Sequence, residues 1–268
     1  TWSGTRQDKD SIQATSIVTL HCRPWWNWTE SLRQSGQVDV LNFIWDWRRP
    51  LEETCHNFLN WLQLQSLLSE HRQRALLVSY STGSLFGWVG LNTYPELFEG
   101  WVSVGGAVGC GNFMLHDHEH GWSMGPVRIF RPETSLSFAS SYGFFPVVGE
   151  PGYKESFTDL KSKKGVEIDI LDRSEWKRNE IGIYGVAKRQ GREVTEQEEI
   201  HLQNSLDATK RFRTEHFYRE GATSFDDERF LIHPKEKYSH LNIVMYGSTA
   251  FDTTHKGWCC DDDHKIRM

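Results

Sequence analysis

The pentapeptide Ser79-Tyr80-Ser81-Thr82-Gly83 holds the chain's best candidate for a nucleophile. A serine hydroxyl attacks an acyl carbon when it is held clear of its neighbours and relieved of its proton; a sharp strand-to-helix turn achieves the first. Such a turn crowds its own backbone, so the residues two before and two after the nucleophile must be small. Ser79 and Gly83 meet that need, with Ser where Gly is more common. Ser81 is then the expected nucleophile, and the amide of Thr82, opening the next helix, one donor to an oxyanion. A second donor belongs to the loop after an earlier strand, and Cys22 of His21-Cys22 is the candidate.

The proton needs a base, normally His, oriented by a carboxylate, and in strand-turn-helix serine sites the chain order is Ser, acid, His. Asp252 follows the last credible strand and His264 stands near the C-terminus, so they are the order-compatible acid and base. His255 and Asp261-Asp262-Asp263 share that region, and His240 precedes the strand and fits worse. The blander reading of Asp252 and His264 is a pair of solvated tail residues.

Three other constellations carry weaker chemistry. His116-Asp117-His118-Glu119-His120 would place three imidazoles on one face of a strand, a ligand set for zinc, but its setting after Gly109-Cys110-Gly111-Asn112 reads as a loop with a solvated polar cluster, so no metal is expected. Asp46-Trp47-Arg48-Arg49 suits a structural ion pair, since guanidinium and carboxylate match as forks. Gly105-Gly106-Ala107-Val108-Gly109 lacks dinucleotide-binding spacing, and no cofactor is implied.

The elements that must position these residues follow from the apolar pattern. Ser16 to His21 reads as a strand stopped by Arg23-Pro24, with a helix start at Thr29; Val38 to Trp45 reads as a strand buried on both faces. Leu51 to Leu68 is helical, with Leu51, Cys55, Phe58, Leu59, Leu62, Leu64, Leu67 and Leu68 at mostly helical spacing after Pro50. Ala75 to Val78, Gly100 to Gly106 and Leu241 to Gly247 are strands, and Ser84 to Leu91 is a helix. Alternating strands and helices predict a parallel sheet. Between about 112 and 192 the pattern dissolves, as in a cap inserted between sheet strands. Thr195-Glu196-Gln197-Glu198 fits a capping box for a helix to about Tyr218, with Ile200, Leu206 and Phe217 among its apolar positions.

Bulk properties narrow the function classes. A chain of 268 residues with 38% hydrophobic content can build one sizeable core, and a net charge of -6 carries no electrostatic footprint for nucleic acid. No stretch approaches the ~18 consecutive apolar residues of a transmembrane segment, and no signal-peptide core opens the chain. A first residue of Thr fits a processed or incomplete chain. The 5 cysteines, without a C-x-x-C pair, define neither a zinc ribbon nor a disulfide framework, so the compartment stays open. Asn27-Trp28-Thr29 has the glycosylation pattern, which is frequent by chance.

Several segments together resemble the lecithin–cholesterol acyltransferase-like family of α/β-hydrolases. Phe43-Ile44-Trp45-Asp46-Trp47-Arg48-Arg49 is similar to the family's aromatic-Asp-Trp-Arg segment, Ser79 to Gly83 falls at its nucleophile, and Trp101 to Gly106 at the strand after it. Ser137 to Pro146 is similar to a Ser-Phe-Pro-Ser-type segment, with looser likeness at Ile170 to Trp176 and at Tyr246-Gly247-Ser248-Thr249. The family's later Gly-Asp-Gly-Thr-Val-type acid motif and its His are not matched, so Asp252 and His264 are not carried over from it. The resemblance implies an α/β-hydrolase-like fold: one domain over 1–268, incomplete, mostly parallel sheet flanked by helices, with residues 112–192 as a cap excursion. It implies a lipid acyltransferase or a phospholipase or lipase-type esterase working through an acyl-enzyme on Ser81. The implied partner is a lipid ester, with a membrane surface as a place where it could be met. The contrasting expectation is an inactive domain of this fold that binds lipid or protein and lacks the acid and base.

Overall fold

The computed structural model describes residues 19–68, 74–106, 113–124, 127–150, 153, 157–159, 162, 164–218, 231–246, 258–260 and 266–267. The chain divides into two compact units, residues 1–47 and 48–268. In the first, helix α1 spans Thr19–Ser35. This overturns the strand expected over Ser16 to His21, of which residues 16–18 lie outside the described ones: Thr19, Leu20 and His21 are helical. Thr29, expected to start a helix, is buried within one, and Pro24 sits inside rather than ending it. Three β-branched or apolar residues hold a strand only through a ladder, whereas a proline in the second turn removes a single helical amide from a segment otherwise free to coil. The strand expected over Val38 to Trp45 is also absent: residues 39–46 carry neither helix nor ladder, and Leu41 is 61% exposed. Asp39 and Asn42 interrupt that apolar run, and β-propensity without a paired neighbour does not make a strand.

The second unit is of the α/β class, a parallel three-stranded sheet flanked by helices. Helix α2, Leu51–Leu68, buries Leu51, Cys55, Phe58 and Leu62, a single stripe at 3.6-residue periodicity, while Leu64 turns outward. Strand β1, Ala75–Tyr80, leads into helix α3, Gly83–Thr93, and a turn of 3-10 helix at Pro95–Leu97 returns the chain to strand β2, Phe98–Val104. β1 and β2 pair in parallel from Leu76↔Gly100 to Tyr80↔Val104, and β6, Asn242–Tyr246, adds to the other side of β2 from Gly100↔Asn242 to Val104↔Tyr246. Helix α3 lies on the sheet face that carries Ser79, Trp101 and Ser103, and α2 packs against α3 where a Cβ on Gly90 would stand 2.8 Å from Phe58 Cε1. Side chains of the opposite face stay more open, Leu76 at 60%.

The excursion after β2 is a set of short elements with a core of their own. Helix α4 spans Phe113–His120, a hairpin joins β3, Ser123–Met124, to β4, Val127–Arg128, and α5, Pro132–Leu136, precedes α6, Ala139–Tyr142. Strand β5, Phe157–Asp159, is followed by α7, Arg173–Asn179, α8, Ile183–Arg189, and α9, Glu196–His216. The expected capping box opens α9: the Glu198 amide donates to Thr195 Oγ1 and the Thr195 amide to Glu198 Oε2. Leu206 and Phe217 are buried as expected, and Ile200 is not. The core gathers Leu115, Tyr142, Phe145, Trp176, Leu202 and Leu206 among others, so it runs past residue 192 into α9. Helix α9 returns to α2 through Arg211–Glu52 bonds of 2.7 and 2.8 Å and a Cys55–His216 contact of 4.0 Å. Two further short strands, β7 at Trp258–Cys260 and β8 at Ile266–Arg267, complete a second small sheet with β5.

Two polar groups are built into this core. Glu150 and Arg213 pair with both side chains fully buried, and the Arg213 guanidinium also sits 4.3 Å above the Phe217 ring. His118 belongs to the motif expected as a solvated loop, yet the motif is the helix α4, which separates its residues: His116 and His120 face outward at i and i+4, and His118 and Glu119 are buried. Among the described residues no group of three or more His, Cys, Asp or Glu side chains is disposed to hold a metal. Glu119 instead accepts from the Gly182 amide and, at 2.6 Å, from Arg189. The Ser141 hydroxyl donates to Phe138 O at 2.7 Å and therefore accepts from His118 Nε2–H at 2.7 Å, leaving Nδ1 buried without a partner among the rings of Tyr142, Phe145 and Trp176.

Both groups give expectations for stability. Glu150→Ala breaks the buried ion pair with Arg213 and is expected to cost about 3 kcal/mol, read from urea unfolding. Burial, with the neighbouring His201, pulls the His118 pKa from its ordinary value down to about 3. The native state then binds fewer protons than the unfolded one between about 3 and 6.5, so this contribution is complete above pH 6.5 and is lost as pH falls through that window, at no more than ~1.4 kcal/mol per pH unit. His118→Gln, which keeps a donor for Ser141 but does not titrate, is expected to flatten the slope of stability against pH; an unchanged slope would place the acid sensitivity elsewhere.

Candidate active site

The turn between β1 and α3 is a two-residue reversal, and its centre is strained. Ser81 has φ +51°, one of two described non-glycine residues in the left-handed region, and it directly follows the strand and precedes the helix. An L-residue there meets its own carbonyl, so the conformation persists only where surrounding bonds fix it. Two do so on the backbone: the Ser81 amide donates to Val104 O at 3.0 Å, tying the turn to the end of β2, and the Ser84 amide donates to Ser81 O at 3.0 Å. Ser81 is partly exposed, whereas Ser79 and Ser84 on either side are buried.

Thr82 stands at the N-cap of α3 with φ -53° and ψ -31°, and its side chain makes no capping bond. Among the described residues the amides of Thr82 and Gly83 meet no acceptor, while those of Ser84 and Leu85 turn back to Ser81 and Thr82. Free first-turn amides at the positive end of a helix are the donors that developing negative charge requires. Cys22, expected in the loop after a strand, is instead the fourth residue of helix α1. Asp252 and His264, with His255 and Asp261 to Asp263, lie outside the described residues. His240 is described and is occupied elsewhere, its Nε2 3.2 Å from Pro95 O and 3.1 Å from Phe98 O.

The requirement for small residues falls differently from the pentapeptide rule. A Cβ on Gly83 would meet Ser79 Cβ at 3.9 Å, an ordinary contact. The tight positions are Gly87, where a Cβ would stand 2.8 Å from Trp101 Nε1, and Gly106, 2.2 Å from Ser103 Oγ and 2.7 Å from Ser84 Oγ. Ser79 itself is held by a hydrogen bond from Trp101 Nε1 at 2.8 Å and lies 3.0 Å from Ser84 Oγ, which lies 2.9 Å from Ser103 Oγ. Arg49 pairs with Glu53 at the start of α2. The remaining thiol near this layer, Cys55, has no nucleophilic character at neutral pH, since burial, reinforced by Glu215, pushes it up to about 12.

The strain at Ser81 is separable from its chemistry by substitution. Ser81→Gly relieves the left-handed residue and Ser81→Ala retains it, so the glycine variant is expected to be more stable than the alanine variant by roughly 1 kcal/mol in chemical denaturation. Equal stabilities would mean that the residue leaves the left-handed region in solution.

No protein-family model matches the sequence, and no curated protein matches it. Among solved structures, the chain is similar to one in the crystal structure of the Tle4–Tli4 complex at 15% identity and a TM-score of 0.41, over 66% of this chain and 42% of that one. The present chain thus spans less than half the length of that neighbour.

Proposed function

We propose that the chain is an α/β-hydrolase-type serine acyl-ester enzyme of the lecithin–cholesterol acyltransferase-like family, acting on a lipid ester. The observation that carries this reading is the left-handed Ser81 between a parallel strand and a helix whose first amides meet no acceptor among the described residues. That geometry presents a hydroxyl where an oxyanion formed on the attacked carbonyl would meet Thr82 N–H, and it is costly to maintain for packing alone. The sequence likeness of residues 43–49, 79–83, 101–106 and 137–146 to the family supplies the substrate class.

In the proposed reaction the Ser81 Oγ attacks the ester carbonyl carbon while its proton passes to the base, and a tetrahedral oxyanion forms. The carbon–oxygen bond to the leaving alcohol then breaks, the base returns the proton to that oxygen, and the acyl group remains on Ser81. An acceptor alcohol or water, deprotonated by the same base, attacks the acyl-Ser81 carbonyl, and collapse releases the new ester or acid and restores the hydroxyl. His264 as base and Asp252 as its orienting acid complete the proposal by chain order.

A fluorophosphonate probe tests the nucleophile. The folded chain is expected to be labelled at one serine, with labelling abolished in Ser81→Ala and lowered by at least ~100-fold in His264→Ala. Absence of labelling in the folded wild-type chain, or labelling that persists in Ser81→Ala, would overturn the reading; labelling indifferent to His264→Ala would remove His264 from it.

A further inference from the structure

We propose that Ser79, Ser84 and Trp101 form a positioning relay beneath the Ser81 turn, so that the hydroxyl of Ser79 does what the more common glycine does not. The inference rests on the reading of Ser81 as an acyl-forming nucleophile. Its consequence runs against the motif: placing Gly at position 79 slows acylation of Ser81.

The donor inventory fixes the direction of the first bond in the relay. The indole N–H of Trp101 can only donate, so at 2.8 Å Ser79 Oγ accepts from it. Ser79 Oγ also shares a hydrogen bond with Ser84 Oγ at 3.0 Å, and Ser84 Oγ one with Ser103 Oγ at 2.9 Å, in each of which either hydroxyl can donate. Burial makes these bonds hard to replace by water: Trp101 and Ser84 are 0% exposed, Ser103 2% and Ser79 6%. A donor orphaned in such a place loses its full desolvation cost, and bonded chains in a dry interior strengthen one another.

Position in the chain turns this bonding into control of the nucleophile. Ser79 lies two residues before Ser81 at the end of β1, Ser84 lies three after it in the first turn of α3, and Trp101 and Ser103 belong to β2. The relay therefore clamps both limbs of the strained turn to the neighbouring strand, beside the Ser81 amide bond to Val104 O. Gly87 and Gly106 admit it, since a side chain at either would collide with Trp101 or with Ser84 and Ser103. With Gly or Ala at 79, the turn keeps its backbone bonds but loses the tie between its limbs, and the Ser81 hydroxyl samples orientations that do not attack. The three residues touch no substrate in this scheme and act only through Ser81.

Fluorophosphonate inactivation separates positioning from folding because it yields a maximal rate, kinact, and a binding constant, KI. Wild type, Ser79→Gly, Ser79→Ala, Trp101→Phe, Ser84→Ala and the double variant Ser79→Ala/Trp101→Phe are compared at a temperature where circular dichroism shows each folded. Each single change is expected to lower kinact about tenfold with KI unchanged, and the double variant to fall no further than the worse single one, since both remove the same bond. Should a change at 79 or 101 prevent folding, Ser84→Ala, placed in a helix that favours alanine, carries the same expectation. Wild-type kinact in the folded variants, or independent multiplying losses in the double one, would overturn the relay while leaving Ser81 as nucleophile. An unlabelled wild-type chain would overturn the serine reading, and the relay with it.

Discussion

How closely α3 can approach the sheet decides what the turn before it must do. The approach is set by Gly87 over Trp101, where not even a methyl group fits, and by Gly106 over Ser84 and Ser103. A helix drawn this near to the strand that feeds it leaves two residues, Ser81 and Thr82, between the last strand residue and the first helical one. Reversal within that length demands a residue of positive φ, and Ser81 takes it at φ +51° although it has a Cβ. The strain is thus a consequence of packing density one layer below the turn, and the packing consists of polar atoms as much as apolar ones. A wider gap would remove the need for Gly87 and for the strained residue together.

The excursion is organised around aromatic rings, and two of them have their polar tips satisfied. Trp176 Nε1 donates to Ile170 O at 2.7 Å and the Tyr142 hydroxyl to Leu136 O at 3.0 Å, so both side chains bury their apolar area without an orphaned donor. His118 fits among them as a neutral ring, a role that a buried imidazole adopts when desolvation outweighs any charged partner. Glu119, one residue on, takes the opposite solution and stays paired with Arg189. Through α9, which packs on α2, this second core bears on the helix that supports α3 from behind. The excursion is therefore linked by packing, through α9 and α2, to the helix that follows the turn.

What was legible in the sequence was what local pattern fixes. Helix α2, the strands β1, β2 and β6, the helix α3 and the capping box of α9 each carry a period or a punctuating residue within a few positions, and each stands where the sequence places it. The runs at 16–21 and 38–45 carry β-branched and apolar residues as β1 does, yet residues 19–21 are helical and 39–45 form no ladder among the described residues, because pairing is decided by neighbours distant in the chain. The excursion escaped for a different reason: helices of four to eight residues, such as α4 and α6, are too short to display a period. In the site, Ser81 was visible from its pentapeptide. The Ser79–Trp101 bond joins residues 22 apart in sequence, and its one local trace was a serine where glycine is usual.

The chain begins two helices behind a threonine, and the contrast between them sharpens what the Ser81 turn achieves. Thr195 has the extended backbone of an N-cap, φ -79° and ψ 154°, which aims its hydroxyl at the Glu198 amide and closes the end of α9. Thr82 occupies the same formal position before α3 but is already helical, and a residue in that conformation directs its side chain away from the amides it would cap. The difference originates one residue earlier, because Ser81 has completed the change of direction that a cap residue ordinarily performs. Strain at Ser81 and the amides of Thr82 and Gly83, which meet no acceptor among the described residues, are therefore two aspects of one backbone path. A substitution that let Ser81 relax to negative φ would also let Thr82 cap its own helix, and the donors would be consumed.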